Sequence, residues 1–174
     1  SIGSVILGCL ADTDAELVAV SRGERSDELS NQGLVIHSPE GVIDVIPPSR
    51  YLTIDSESGP IPSHIRNSCD AVIIAGKSTS TPVLSQVAEE VLGDGGVAIS
   101  IQNGMGHAEI LASRVGNHSV LGGTTTHGAW SGEEGSHWVG RGTIRLGYLD
   151  GGPASGNAQR LLNYLAESSL NPEW

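Results

Sequence analysis

Residues 70–106 decide the fold, and they read DAVIIAGKSTSTPVLSQVAEEVLGDGGVAISIQNGMG. Five of the first six residues are apolar, and residues 96–101 form a second, mainly apolar run, so each run predicts a buried strand. Between them, Pro82 fits the first turn of a helix that is capped by Thr81 and reaches about Leu92. A strand, a helix and a second buried strand make a βαβ unit, so the stretch predicts a parallel sheet.

The segments on either side continue this alternation. Further strands are predicted at 16–20 and 119–122, and further helices at 3–11, 26–32 (with Ser26 as its cap), 107–115 and 155–167. Two antiparallel pairs are predicted as well, namely 34–38 with 41–46 and, later, 136–139 with 143–149 around Gly140-Arg141-Gly142. The pattern predicts one α/β domain over 1–174, with a mostly parallel sheet, flanking helices and a late antiparallel hairpin.

Composition and charge exclude several classes of protein. The chain has 174 residues and a formal net charge of -11, and such a surface repels the phosphate backbone of nucleic acids. There is no run of about 18 apolar residues, so no membrane-spanning helix is predicted. The two cysteines, Cys9 and Cys69, form no metal-binding cluster and indicate a reducing, cytoplasmic setting. Of nine basic residues only Lys77 is a lysine, which makes it a candidate for chemistry.

Loops rich in small polar residues follow the predicted strands. Three of them, 21–23, 76–81 and 102–106, come directly after strands, and 123–129 has a similar composition. Ligands of parallel α/β sheets bind at the carboxyl ends of the strands, so these loops predict the position of a ligand site.

The first residues resemble the end of a dinucleotide-binding fingerprint. Such folds open with a strand, then G-x-G-x-x-G, then a helix. Gly3 fits the third glycine, where close packing of helix on strand excludes a side chain, so we expect the first strand and two further glycines upstream of Ser1. Taken alone, a glycine before a helix is more often a simple turn.

Arg22 indicates which nucleotide is bound. NAD-dependent enzymes place Asp or Glu at the end of the second strand, on the ribose 2′-hydroxyl, whereas an arginine there accommodates the 2′-phosphate of NADP. Arg25 could share that phosphate. The alternative is that Arg22 is an ordinary surface residue.

Several of these loops together resemble the ketopantoate reductase (2-dehydropantoate 2-reductase) family. The matching motifs are Ser1-Ile-Gly-Ser4, Val20-Ser-Arg22, Ala75-Gly-Lys-Ser78, Gln102-Asn-Gly-Met-Gly106, Leu121-Gly-Gly-Thr-Thr-Thr-His-Gly-Ala129 and the segment 140–147. The resemblance covers essentially the whole chain, but only the N-terminal, Rossmann-like half of the family. It implies that a helical C-terminal domain begins just past Trp174, and that these 174 residues are inactive and bind NADP poorly by themselves.

The resemblance also implies an activity and a set of site residues. Members of the family reduce 2-dehydropantoate to (R)-pantoate with NADPH, in the biosynthesis of pantothenate and coenzyme A. Lys77 matches a lysine that contacts the cofactor and polarises the substrate, and Asn103 matches a residue that contacts nicotinamide and substrate. Ser1, Ile2, Gly3, Arg22 and the backbone of Ala129 match cofactor-binding positions.

Other functions stay open on the sequence alone. One is a related NADP-dependent reductase of another branched 2-keto acid, because the absent domain selects the substrate. Another is a sensor module that binds NADP without chemistry, although Lys77 and Asn103 argue against it. If the protein is a reductase of either 2-keto acid, its expected partners are the small-molecule substrate and, for the full-length protein, a second copy in a homodimer.

The histidines are interpreted as structural or exposed. His127 lies in the loop 123–129 and could be a general acid, but a structural hydrogen-bonding role is favoured. His107, His118 and His137 lack the spacing of metal ligands, so no metal site is predicted.

Overall fold

The computed structural model describes residues 1–174 and contains five helices and eleven strands. The helices are α1 (Ile2–Ala11), α2 (Glu24–Asn31), α3 (Thr81–Val91), α4 (His107–Val115) and α5 (Gly156–Glu167). The strands are β1 (Val18–Ser21), β2 (Leu34–His37), β3 (Ile43–Ile46), β4 (Leu52–Asp55), β5 (Cys69–Ile74), β6 (Leu92–Ser100), β7 (Val120–Thr125), β8 (Gly128–Gly132), β9 (Gly135–Gly140), β10 (Ile144–Tyr148) and β11 (Pro172–Glu173). None of the helices combines the length and the apolar character that crossing a bilayer requires.

The largest sheet has five strands in the order β11-β10-β7-β6-β5. Strands β5, β6 and β7 are parallel, with Ile74 opposite Ser100 and Ser100 opposite Gly122. Side chains alternate between the two faces of each strand. Ala98 and Val120 therefore pack with α3 and α4, while the neighbouring residues on each strand pack with α5 in the main core. Helices thus cover both faces of this sheet, which confirms the predicted Rossmann-like α/β class.

A separate two-stranded sheet pairs β1 with β4 in parallel, from Val18 opposite Leu52 to Ser21 opposite Asp55. Strand β1 has no hydrogen-bonded neighbour on its other edge, and β5 has none beyond β6. The two strands nevertheless share hydrophobic cores. Val18 and Val20 pack around the same small cluster as Val72, and Ala19 belongs to the main core against which Ala71 and Ile73 pack.

The third sheet is four-stranded, in the order β3-β2-β9-β8. Its antiparallel pair β2–β3 confirms the predicted pairing of 34–38 with 41–46. One face packs under α1, where Ile36 and Trp138 join the main core. A Cβ at Gly8 of α1 would overlap the end of the Ile36 side chain, so glycine lets the helix pack closely on the sheet here.

The predicted pairing of 136–139 with 143–149 is wrong. Strand β9 forms its antiparallel hairpin with β8, through a turn at Glu133 and Glu134, and β10 instead pairs antiparallel with β7. The residues 140–142 cross from one sheet to the other. They are held there because the Gly142 N–H donates to His127 Nδ1 at 3.0 Å and the Arg141 guanidinium stacks on Trp138.

Two predicted helix caps are also displaced. Gly23, not Ser26, precedes α2, and its φ of 54° is a conformation that suits glycine. Ser26 is buried inside that helix. Thr81 is the first residue of α3 and not its cap, which is Ser80. The hydroxyl of Thr81 lies 2.8 Å from the Ser78 carbonyl oxygen and faces the interior.

Both cysteines are half-buried and carry free thiols. Burial is the main cause that raises the pKa of Cys9 to about 11, and burial also raises the pKa of Cys69. A thiol must lose its proton to act as a nucleophile or as a metal ligand. Both thiols therefore keep their protons at neutral pH.

Candidate functional site

The loops that carry Lys77 and Asn103 lie side by side at the carboxyl ends of β5 and β6. The parallel register of these strands ends both at the same edge of the sheet. A side chain then ties the two loops together, because the Gln102 amide nitrogen donates to the carbonyl oxygens of Gly76, at 2.9 Å, and Lys77, at 3.0 Å. The two residues that the sequence singled out for chemistry thus occupy neighbouring loops.

Lys77 is exposed and precedes a short 3-10 turn, Ser78–Ser80. Its carbonyl oxygen accepts a hydrogen bond from the Ser80 N–H at 2.9 Å, which anchors the backbone of the loop. Its ammonium group forms no ion pair with any of the acidic residues of the chain. The one lysine is therefore a cation on an anchored backbone, available to an anionic or oxygen-bearing ligand.

Asn103 is also exposed, and its backbone is held by α4. Its carbonyl oxygen lies 3.1 Å from Nε2 of His107, in the first turn of that helix. Gly104 and Gly106 have φ values of 111° and 86°, so the loop uses conformations that other residues rarely adopt. The side-chain amide of Asn103 has no hydrogen-bond partner within the chain, which leaves a donor and an acceptor free at the edge of the sheet.

The start of α1 adjoins the Lys77 loop. A Cβ placed on Gly3 would contact the Cβ of Ala75 at 3.4 Å, an ordinary packing distance. The helix α1 thus packs closely at Gly3, but a methyl group would fit there. Close packing was expected to exclude any side chain at this position, and the structure supports that expectation only weakly. The first helical hydrogen bond runs from the Val5 N–H to the Ser1 carbonyl, and the Ser1 side chain caps nothing.

The N-terminal end of α1 is suited to binding an anion. The N–H groups of Ile2, Gly3 and Ser4 have no acceptor in the chain, and the first turn holds no acidic residue. Unpaired N–H groups and the helix dipole together favour phosphate at such a position. Ser21 adds a hydroxyl oxygen at the end of β1 that is buried and has no hydrogen-bond partner. The residues present therefore fit the phosphates of a dinucleotide.

Two arginines follow β1, and one of them contacts α1. Arg22 follows β1 and is 65% exposed; its guanidinium lies 3.7 Å from Glu57, which is 61% exposed, so the two are only loosely paired. Arg25 lies nearer to α1, where it donates to the Ser4 hydroxyl at 3.2 Å and to Glu28 at 2.8 Å. The neighbouring Asp55 is an anion at neutral pH, because hydrogen bonds from Ser58 and from backbone N–H groups lower its pKa.

His127 and Ala129 lie apart from the lysine loop. His127 is buried; its Nδ1 accepts the Gly142 N–H at 3.0 Å, so its Nε2 donates to the Leu170 carbonyl at 2.9 Å. Both ring nitrogens are used within the fold, which confirms the structural role predicted for His127. Ala129 lies in β8 opposite Trp138 and packs against the main core. Its sheet is not the one whose strands β5 and β6 lead into the loops of Lys77 and Asn103.

Sequence reasoning missed the polar side chains beneath the loops. Gln102, Thr81 and Ser100 are buried and hydrogen-bonded to one another behind Lys77 and Asn103. The available signal was the position of Gln102, a long amide placed directly after a buried strand.

Two surface cavities lie away from Lys77 and Asn103. One of about 390 Å³ is lined by Gly122, Gly123, Thr124, Arg145, Leu146, Glu173 and Trp174. Another, of about 170 Å³, lies at the carboxyl end of β4 and is lined by Thr53, Ile54, Asp55, Ser58, Gly59, Pro60 and Pro62. Lys77 and Asn103 are exposed and line neither of these two cavities.

Comparison with known proteins identifies the family of this chain. The sequence model of the family described as "Ketopantoate reductase PanE/ApbA" matches residues 1–151. The chain belongs to the ketopantoate reductase family. Among curated relatives, 2-dehydropantoate 2-reductase of Halobacterium salinarum is 34% identical over 132 residues, which are 74% of this chain and 40% of that protein. The enzyme of the same name from Pyrococcus horikoshii is 31% identical over 148 residues, 84% of this chain and 44% of that protein.

Solved structures show the same fold as this ketopantoate reductase family chain. The 2-dehydropantoate 2-reductase of Porphyromonas gingivalis superposes with a TM-score of 0.80 at 17% identity, covering 99% of this chain and 60% of that one. A D-mandelate dehydrogenase solved with NADH and anilino(oxo)acetate gives a TM-score of 0.79 at 19% identity, covering 97% and 52%. The chain spans less than half the length of the curated relatives named above.

Proposed function

We propose that the protein reduces the ketone of 2-dehydropantoate to (R)-pantoate with NADPH, a step of pantothenate and coenzyme A biosynthesis in the cytoplasm. One observation carries the proposal. Neighbouring loops at one edge of the sheet present the Lys77 ammonium, which has no ion pair, and the Asn103 amide, which has no hydrogen-bond partner. The start of α1, with its free N–H groups, adjoins them. Family membership supports it, because relatives with 31–34% identity carry this enzyme name.

The proposed chemistry divides the work between cofactor and chain. NADPH supplies the hydride that reduces the carbonyl carbon. Lys77 stabilises the negative charge that develops on the ketone oxygen, since a fixed cation at that position acts most strongly in the transition state. Asn103 orients nicotinamide and substrate through its free amide. The proton for the product hydroxyl is expected from the helical domain that the family carries after this one.

The proposed cofactor site uses the α1 terminus and the end of β1. Ser1, Ile2 and Gly3 would bind the pyrophosphate through backbone N–H groups, and the backbone of Ala129 would contact the cofactor from β8. Arg22 would bind the 2′-phosphate in exchange for its loose contact with Glu57. A cation at the end of the second strand supports NADP over NAD, for which an acidic residue is usual.

We also propose that residues 1–174 are the NADP-binding domain of a longer protein, with a strand upstream of Ser1 and a helical domain after Trp174. The unpaired edges of β1 and β5 support the upstream strand. The two strands share hydrophobic clusters on both faces of the sheet, yet neither is hydrogen-bonded to the other. An intervening parallel strand would satisfy both edges and join the two sheets into one.

One alternative substrate has a specific observation in its favour. The similarity in fold to a D-mandelate dehydrogenase is as strong as that to 2-dehydropantoate 2-reductases. A different 2-keto acid, such as benzoylformate, would need the same lysine and asparagine and a differently shaped second domain.

A substrate panel tests the proposal. The full-length protein is assayed for oxidation of NADPH with 2-dehydropantoate, 2-ketoisovalerate and benzoylformate, and the kcat/KM values are compared. The highest value is expected for 2-dehydropantoate. A higher value for benzoylformate would assign the mandelate-type reaction, and NADPH binding without turnover of any 2-keto acid would favour a sensor module.

A further inference from the structure

A single buried amide joins the two loops of the site. Gln102 is 9% exposed, and its side chain lies within hydrogen-bonding distance of four partners. The two N–H groups serve the carbonyl oxygens of Gly76 and Lys77, and Oε1 lies 3.0 Å from the Thr81 hydroxyl and 3.1 Å from that of Ser100. An amide has two donor hydrogens and two acceptor lone pairs, so these four neighbours match its capacity.

The same network continues from Gln102 to the backbone of Asn103. Thr81 is 0% exposed, and its hydroxyl lies 3.2 Å from Nδ1 of His107. The other ring nitrogen of His107 lies 3.1 Å from the Asn103 carbonyl oxygen. Three side chains thus connect the carbonyl of Lys77 with that of Asn103.

The three side chains between the loops, Gln102, Thr81 and His107, do not contribute equally to holding the loops together. The hydroxyl of Thr81 has one hydrogen but three acceptors within reach, on Ser78, Gln102 and His107, so it satisfies only one of them at a time. Gln102 uses both of its hydrogens on the lysine loop. It is therefore the side chain that determines where the backbone of Lys77 lies relative to β6.

We propose that Gln102 is a positioning residue, which holds the Lys77 ammonium at the distance from Asn103 that the reaction needs; this rests on the function proposed above. Glutamate, asparagine and apolar residues do not meet this geometry. Glutamate lacks the two donors, and its carboxylate would face two carbonyl oxygens. Asparagine is one methylene shorter, and an apolar side chain would remove the hydrogen bonds to both carbonyls, which leaves only the one from the Ser80 N–H to Lys77.

The test compares Gln102→Met with the matched control Gln86→Met, an exposed glutamine on α3. In the full-length protein, Gln102→Met should lower kcat/KM by roughly 10- to 100-fold, mainly through kcat, because small displacements of a catalytic group have effects of this size. Gln86→Met should leave it unchanged. Unaltered kcat/KM in Gln102→Met would overturn the proposal.

A second measurement is independent of turnover. The acetylation rate of Lys77 by acetic anhydride is followed by peptide mass spectrometry, with and without NADPH. NADPH should protect Lys77 in the unmodified protein and in Gln86→Met, and protect it much less in Gln102→Met. Equal protection in all three proteins would refute positioning by Gln102. If the unmodified protein reduces no 2-keto acid, the proposed function fails, yet this comparison still decides the role of Gln102.

A third variant covers the case in which Gln102→Met does not fold. Gln102→Glu keeps the length of the side chain, and its protonated carboxyl can donate one hydrogen bond to the lysine loop. The ratio of its kcat/KM to that of the unmodified protein should rise as pH falls from 8 toward 5. A ratio that stays constant over this range would contradict the proposed hydrogen bonds to the loop carbonyls.

Discussion

Replacing Arg22 with aspartate should change which nucleotide the full-length protein prefers. Arg22 is largely exposed and only loosely paired with Glu57, so its interactions are screened by water. Two unit charges about 4 Å apart interact by about 1 kcal/mol in water and about 4 kcal/mol near a protein surface. Removing the attraction to a 2′-phosphate and adding a repulsion should then cost about 2–4 kcal/mol, which corresponds to a roughly 30- to 1,000-fold weaker NADPH affinity.

NADH lacks the 2′-phosphate, so its affinity should change by less than about threefold, and the new carboxylate can accept a hydrogen bond from the ribose hydroxyls. The assay is fluorescence titration of both nucleotides against the unmodified protein, Arg22→Asp and the control Arg160→Asp. Arg160 is also an exposed arginine in an ion pair, with Asp70 at the amino end of β5, opposite the site. Equal losses of affinity for NADPH and NADH, or the same preference change in the control, would refute the role of Arg22.

Three further predictions concern charge and packing. Glu57→Gln should strengthen NADPH binding by about two- to fivefold in the same titration, because it removes the carboxylate that competes for Arg22; weaker binding would contradict this. The hydrogen bond from Arg141 lowers the pKa of Glu40 from 4.5 to about 2, so the pair stabilises the fold above pH 4.5 and loses that effect as pH falls toward 2. The Tm deficit of Glu40→Gln should therefore shrink over that range, whereas a constant deficit would refute the pairing. Gly142→Ala should lower the free energy of unfolding by about 1–3 kcal/mol in urea denaturation, because its Cβ would lie 2.6 Å from the His127 backbone nitrogen; an unchanged value would show that the crossing between sheets is loose.

The parallel part of the fold followed from local patterns in the sequence. The apolar runs at 70–75 and 96–101 correspond to β5 and β6, and the helix predicted at 107–115 has the bounds found for α4. These elements are long, strongly patterned and consecutive in the chain, so local propensity and tertiary packing agree on them.

The late strands could not be predicted because their partners are distant in sequence. Strand β10 pairs with β7 and β11, and β9 pairs with β2, a hundred residues earlier. The segment around Gly140 looks like a hairpin turn by composition, but His127 and Trp138 hold it in a crossing between sheets. The true turn, at Glu133 and Glu134, was hidden by the glycines of β8, which indicate a loop.

The residues of the candidate site were also only partly predictable from the sequence. Lys77 and Asn103 were identified from their positions after strands and from the family motif. Gln102 and Thr81 were missed because their importance lies in hydrogen bonds between loops that are 21 to 26 residues apart in the chain. Such contacts appear only when the strands are in register.

The central claim is that the one lysine of this chain acts on the substrate ketone. The measurement is the kcat/KM of Lys77→Ala in the full-length protein, with NADPH and 2-dehydropantoate, beside a direct titration of NADPH. A loss of roughly 100-fold or more is predicted, as for other positioned catalytic donors, with a smaller loss of NADPH affinity. Lys77→Arg should recover little, because a planar guanidinium does not replace a compact ammonium. Near-normal turnover of Lys77→Ala would contradict the claim and leave Lys77 as an exposed surface charge.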